Sequence, residues 1–504
     1  MFFGIILSFL GSMTAAVAED LVVTLPYGQI RGRFVEPNYT PSFYAFQEIP
    51  FAAPPVGSLR FQPPQPVQPW EGILDTQENT KMCYQVTTDN QYENEDCLYL
   101  NVYSPVEPSS GASLPVLVNI YGGTFTHGSA MFRYSSPHSF MSRGVILVTF
   151  NYRVGPFGFL STEDTVIPGN MGVKDQQYAI KWVNENIHLF GGDPEKITLI
   201  GQSAGGASVT YQILSPGSAG LFRAVIAESG SALCPWAHQR HALDTAQKVA
   251  KYIDENFDTD SSTQQLAEYL IGVDASAIDD ASKKYQVWSP VVEPEHDDLA
   301  SFKTQMAGYD SNVQRLLSEN LNIVDSNTKT TVGNEIRSIY TDGLFQDDLA
   351  NSIRYLSDNT FTRGVIRYAQ FQAQYTDVYF YQFSYHGILG RNNASMEGIG
   401  RVEHGEDARY LSTGDVNIAT YPETDQIVAD RYMTLFINFV KTLDPLSQLD
   451  AASEEITWPK VTQDAFYYLD IDTTADVRQN PRDFSYQKWV DIYEKYGVQP
   501  FYTF

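Results

Sequence analysis

The sequence predicts an α/β protein built on a mainly parallel sheet with helices on both faces. Two observations carry this. Short apolar, β-prone runs at residues 115–120, 145–150, 197–200, 224–227 and 378–383 read as buried strands. Helical patterns lie between them, and the clearest, residues 176–190, gathers Tyr178, Ile180, Trp182 and Val183 into an apolar face. Strands that alternate with helices form crossovers, and crossovers make parallel sheets. A third observation is the junction at 197–206. There four β-prone residues run into Gly201-Gln202-Ser203-Ala204-Gly205-Gly206, and a helical pattern follows through Ala207, Val209, Tyr211 and Ile213.

The remaining elements follow from this frame. Residues 20–105 are rich in turns and predict an antiparallel lead-in. Residues 240–370 are helical and polar, and are placed to cap a site on the sheet. The 26 prolines and 35 glycines are spread along the 504 residues, with no low-complexity linker and no short repeat. At 43% hydrophobic the chain can bury a sizeable core, so one large domain is expected. The formal charge of −27 argues against nucleic acid and anionic membranes as partners.

The N-terminus reads as an export signal. Residues 2–10 are apolar, and Ala16-Val17-Ala18 offers a small-x-small cleavage site before Glu19. Residues 1–18 are therefore assigned to a signal peptide and 19–504 to the mature domain, expected to be secreted without a membrane anchor. The three cysteines fit that compartment. Cys83 and Cys97 are able to close a short loop, which leaves Cys234 as a buried thiol. Asn38 and Asn393 begin sequons and are candidate glycan sites.

The 197–206 junction has a chemical reading. A serine at the apex of a tight strand–turn–helix is lifted above the sheet edge, where a base can reach it. Upstream, the strand at 115–120 ends in Tyr121-Gly122-Gly123-Thr124. Glycine-rich loops at strand ends can aim backbone N–H groups at a developing oxyanion. Gly123, Thr124 and Ala204 are the candidate donors. A plain turn is the alternative for this loop. The base is expected late in the chain. His404, after the last strong strand and beside Gly405, is the candidate among eight histidines.

These motifs, with others, carry a resemblance. Phe190-Gly191-Gly192-Asp193-Pro194 leads into the serine junction, and Glu95-Asp96-Cys97-Leu98-Tyr99-Leu100-Asn101-Val102 forms a second signature. Asn151-Tyr152-Arg153-Val154-Gly155 and Asp175-Gln176 also fit. The chain resembles the type-B carboxylesterases, the cholinesterase-like family of the α/β-hydrolase fold. Gln202, where Glu is commoner, is similar to the insect juvenile hormone esterase-like branch. The resemblance implies Ser203 as nucleophile, His404 as base and an oxyanion hole of Gly123, Thr124 and Ala204. It also implies a Cys83–Cys97 disulfide and structural ion pairs Arg60–Glu95 and Arg153–Asp175.

Three departures matter. Thr124 stands where many members have a third glycine. No tryptophan lies between Cys83 and Cys97, which speaks against a choline ester. The family follows Ser-Pro-Val-Val-Glu, here residues 289–293, with a strand ending in the acid that orients the histidine. Here Pro294-Glu295-His296-Asp297-Asp298 runs straight into a helical pattern from Leu299, so that strand and its acid are expected to be missing. Asp342 and Glu397 follow no strand and are poor replacements. Glu228, ending the run at 224–227, is the one candidate acid. The expected function is hydrolysis of small, apolar carboxylic esters, weakened by the missing acid, with no metal or organic cofactor. The competing expectation is a non-catalytic relative, either a binding or adhesion protein or a carrier of hydrophobic ligands.

Overall fold

A computed structural model describes residues 21–86, 91–108, 110–285, 288, 299–390, 400–447, 456–462 and 464–499. Its strands are β1 (Val22–Leu25), β2 (Gly28–Arg31), β3 (Arg33–Val35), β4 (Phe43–Pro50), β5 (Ile73–Asp75), β6 (Tyr99–Ser104), β7 (Leu114–Ile120), β8 (Ile146–Phe150), β9 (Gly192–Gln202), β10 (Ala224–Glu228), β11 (Tyr381–Phe383), β12 (Tyr467–Ile471) and β13 (Ala475–Gln479). Seven of them form the central sheet in the order β10-β9-β7-β8-β6-β4-β3. The half from β8 to β10 is parallel, and the half formed by β3, β4 and β6 is antiparallel. This is the α/β-hydrolase architecture, with the antiparallel lead-in where the turn-rich segment predicts it. One lead-in pair, β2 with β5, is parallel instead.

Both faces of the sheet are buried, which is why its central strands are apolar at nearly every position. Val116, Val118 and Val148 join one core with Ile180 and Val183 of the helix Met171–Asn186. Their neighbours Leu117 and Leu147 join the opposite core with Val428, Tyr432 and Phe436 of the helix Glu423–Thr442. The helix predicted at 176–190 begins earlier, at Met171, and its last turn tightens to a 3₁₀ turn at Ile187–Phe190. Seven helices between Ala242 and Gln372 form the expected helical cap. That cap is less polar than predicted, because its helices bury their own apolar clusters around Leu266 and Ile336.

Among the described residues no strand lies between β10 and β11. The consequence is a divided sheet. β10 ends the central sheet, and β11 pairs instead with β12 in a separate sheet ordered β11-β12-β13. The run predicted at 378–383 is therefore a strand only at Tyr381–Phe383, because a ladder needs a neighbour and only β12 provides one. Cys83 and Cys97 form a disulfide, and Cys234 is a free, buried thiol whose pKa burial pushes up to about 11. Arg60 grips Glu95 with two nitrogens, at 2.5 and 2.8 Å. Arg153 grips Asp175 at 2.7 Å through both Nε and Nη2 in a fully buried pair.

Candidate active site

Ser203 stands between β9 and the helix Ala204–Leu214 at φ 59° and ψ −120°. That backbone conformation is strained for a residue with a Cβ, and persists only where the surroundings enforce it. Here the Ser203 N–H donates to the Glu228 carbonyl at 2.8 Å, and the Ser203 carbonyl accepts from the Ala207 N–H at 3.0 Å. The glycines of the turn serve close approach. A Cβ on Gly201 would sit 2.3 Å from the Gly205 carbonyl oxygen, and one on Gly205 would sit 2.0 Å from that of Ile120. The strand, turn and helix thus pack without room for a larger residue at either glycine.

The Gly122-Gly123-Thr124 loop lies against this turn. A Cβ on Gly122 would fall 3.1 Å from Ser203 Cβ. Gly123, Thr124 and Phe125 all take positive φ, at 107°, 52° and 59°. The loop is braced from behind by Tyr121 and Tyr152, which stack at 4.4 Å and each donate a hydroxyl to the other's carbonyl at 2.9 Å. The Thr124 hydroxyl turns to that of Thr126 at 2.8 Å. Among the described residues the N–H groups of Gly123, Thr124 and Ala204 donate to no protein acceptor. Ala204 opens its helix, so its N–H also carries the positive end of the helix dipole.

His404 reaches the same region from the loop before the short helix Ala408–Leu411. Its Nε2 lies 3.3 Å from Gln202 Nε2. An amide nitrogen only donates, so the imidazole lone pair accepts from Gln202. Among the described residues no hydrogen bond joins His404 to Ser203 or to any carboxylate. The ring packs on Phe361 with centroids 4.5 Å apart. Phe361 lies in a π-helical turn, Asp358–Thr362, and continues through Trp236 to Phe125 at centroid distances of 5.6 and 6.4 Å. An aromatic wall therefore runs from the glycine loop to the histidine. Surrounding protein pushes the imidazole pKa down, towards about 4. The His404 surface is nonetheless exposed to the adjoining cavity, which moderates that depression.

Glu228 does not meet His404. Its side chain is 3% exposed, and its Oε1 has no hydrogen-bond partner. Burial, reinforced by the nearby Asp407 carboxylate, raises its pKa well above the usual range. Asp407 is raised by burial as well, and its Oδ2 lies 3.1 Å from the Tyr432 hydroxyl. Glu228 makes no hydrogen bond to His404, so among the described residues the geometry gives His404 no acid. Asp342 is exposed after the helix Ser326–Tyr340. Residues 1–18, Asn393, Glu397 and the stretch 289–298 lie outside the described residues, and Asn38 is exposed. Gln202, Phe361 and the Tyr121–Tyr152 brace were not anticipated as parts of the site. Only Gln202 carried a sequence signal, its place beside the serine.

Among the described residues no group of three or more His, Cys, Asp or Glu is disposed to hold a metal ion, and no helix is long and apolar enough to cross a membrane.

Comparison with known proteins agrees with this architecture. The carboxylesterase family matches residues 19–305 and 295–489, in two segments that overlap at residues 295–305. Venom carboxylesterase-6 of Apis mellifera is 41% identical over 304 residues, which are 57% of this chain and 54% of that relative. The chain thus spans about half the length of that relative. Bile salt-activated lipase of Bos taurus is 31% identical over 513 residues, covering 89% of this chain and 83% of the lipase. Among solved structures, juvenile hormone esterase from Manduca sexta with OTFP covalently attached superposes with a TM-score of 0.80 at 25% identity, covering 94% of this chain and all of the other. With the match running through nearly the whole sheet and its helices, the chain belongs to the carboxylesterase family.

Proposed function

We propose that this protein is a secreted serine hydrolase of small, apolar carboxylic esters, with residues 1–18 as signal peptide and 19–504 as the hydrolase domain. Ser203 attacks the ester carbonyl. The oxyanion is received by the N–H groups of Gly123, Thr124 and Ala204. His404 takes the serine proton and returns it to the leaving alcohol, and water then releases the acyl group. The carrying observation is the strained Ser203 turn with the Gly122-Gly123-Thr124 loop packed against it, where the N–H groups of Gly123, Thr124 and Ala204 have no protein acceptor among the described residues. The aromatic wall of Phe125, Trp236 and Phe361 favours an apolar substrate. Export is supported by the disulfide and by the venom origin in the name of one relative.

Turnover should be weak. His404 gives its lone pair to Gln202 rather than to Ser203, and among the described residues no carboxylate bonds it. The test is labelling by a fluorophosphonate probe together with hydrolysis of an aryl acetate. Labelling should map to Ser203 and vanish in Ser203→Ala. Label found elsewhere, or retained in that variant, overturns the proposal. One observation favours a second reading. The resting histidine is not engaged with the serine, as in a relative that binds hydrophobic ligands or adhesion partners without turnover. Complete inertness to the probe would decide for it.

A further inference from the structure

Beside His404 lies a cavity of about 930 Å³ whose walls are unusual. One side is the free edge of β10, through Ala224, Val225, Ile226 and Ala227, and the opposite side is β11. Among the described residues each strand pairs on one edge only, β10 with β9 and β11 with β12. The cavity's other walls are helices. Val365 and Tyr368 come from Arg363–Gln372, and Phe436 and Phe439 come from Glu423–Thr442. Two strand edges and two apolar helix faces thus line one cavity. The side chains of β10 show the vacancy. Four of its five residues are half-exposed, whereas every residue of β8 is buried.

We propose that this slot is a binding site for an extended peptide strand from a second polypeptide, inserted between β10 and β11. The site rests on the hydrolase reading for its effect on turnover, though not for binding itself. The occupant's chemistry follows from the walls. Both edges present backbone N–H and C=O groups that need partners. An acyl chain or an ester offers no donors, whereas a peptide in β conformation offers donors and acceptors on both of its edges at once. The helix faces above and below require a strand that is apolar on both sides. β10 has five residues, so the matching segment spans about 17 Å at the usual rise. Direction follows from β10, which runs parallel to β9. The C-terminal end of β10 is Glu228, whose carbonyl accepts from Ser203 and whose carboxyl faces Asp407. A strand entering parallel to β10 therefore ends at the wall formed by Val402, Glu403 and His404. A carboxylate at that end meets the His404 imidazole, which no described carboxylate bonds. The peptide would thus both close the sheet and orient the base.

The probe is the capped peptide Lys-Lys-Val-Ile-Val-Ile-Val-Asp-Gly added to the full chain. Controls are the same peptide with Asn for Asp, the same peptide N-methylated at alternate apolar residues, and oleate. The parent peptide should raise Tm by at least about 2 °C at saturation. It should accelerate aryl acetate hydrolysis at least tenfold, within the roughly 10⁴-fold worth of a triad acid. The Asn peptide should raise Tm without accelerating turnover, and the N-methylated peptide should do neither. No Tm shift at millimolar parent peptide overturns the site, as does an equal shift with the N-methylated peptide. A shift produced by oleate alone reassigns the cavity to an amphiphile and overturns it too. A Tm shift without acceleration, in protein that a fluorophosphonate labels at Ser203, overturns the carboxylate's role. If the fluorophosphonate fails to label Ser203, the hydrolase reading falls instead, and the Tm series alone decides on the site.

Discussion

At the scale of single residues the contest is for one lone pair. Gln202 Nε2 stands 3.3 Å from His404 Nε2, and no other described group bonds the ring. In the proposed reaction the Ser203 proton needs that same lone pair, so Gln202 and Ser203 compete for it. We predict that Gln202→Ala raises kcat for an aryl acetate several-fold while fluorophosphonate still labels Ser203. An unchanged or lower kcat would show that the contact is not what restrains the base. Ser203→Ala should remove turnover altogether, since loss of the nucleophile costs on the order of 10⁶ where a triad is intact. The imidazole predicts a pH profile as well. Its pKa is pushed down by the surrounding protein, so the base stays deprotonated below the usual histidine value. The acid limb of kcat/KM should therefore fall below pH 6.5. A limb at or above 6.5 would mean that the ring sees a carboxylate after all. The sequence marks Ser203 and His404 as candidates, because tight turns and strand-end loops have residue signatures, and the fold brings His404 to the residue beside Ser203. It could not announce the Gln202 contact. Which of two neighbours a histidine faces is set by the loop's path, and that path depends on packing far from it.

Elements were legible in proportion to how local their causes are. β7, β8 and β9 fall where short apolar runs predict them, because strands buried on both faces are apolar throughout. β11 is shorter than its apolar run, since ladder length depends on a neighbour distant in sequence. The sequence leads to the expectation of a missing strand after residue 293, while the separation of β11 from the central sheet is visible only in three dimensions. The Cys83–Cys97 loop offers a prediction at this scale. Its cysteines are 14 positions apart, and closing a loop of that size is worth about 3 kcal/mol in the chain-entropy account. The double substitution Cys83→Ala, Cys97→Ala should lower stability by about that amount in denaturant titration. It should leave Ser203 labelling intact, because the loop contributes no residue to the serine turn. A loss below about 0.5 kcal/mol would place the loop's stability in its packing instead.

Across the whole molecule, the divided sheet has left two carboxyls in a place that disfavours charge. Glu228 and Asp407 are both buried and both raised above their ordinary pKa values. A carboxyl held protonated in the fold keeps a proton that the unfolded chain has released, so stability falls as pH rises above about 4.3. His404 acts in the opposite sense. Its lowered pKa keeps the folded ring neutral while the unfolded ring takes a proton, so stability falls as pH drops below about 6.5. Between these limits the two slopes oppose each other, and above pH 6.5 only the carboxyl slope remains, for as long as the carboxyls stay protonated in the fold. The net charge of −27 adds self-repulsion on that same alkaline side. Salt screens the repulsion between exposed charges but not the desolvation of a buried carboxyl, and this separates the two causes. We predict that Tm declines from pH 6.5 to pH 8 even in 0.5 M salt. Glu228→Gln should flatten that decline, by up to about 1.4 kcal/mol for each pH unit crossed below the native pKa. An equal decline in the variant at high salt would show that Glu228 is not its source, whereas a decline in the unaltered chain that vanishes at high salt would assign the alkaline loss to surface charge rather than to the carboxyls at the edge of the sheet.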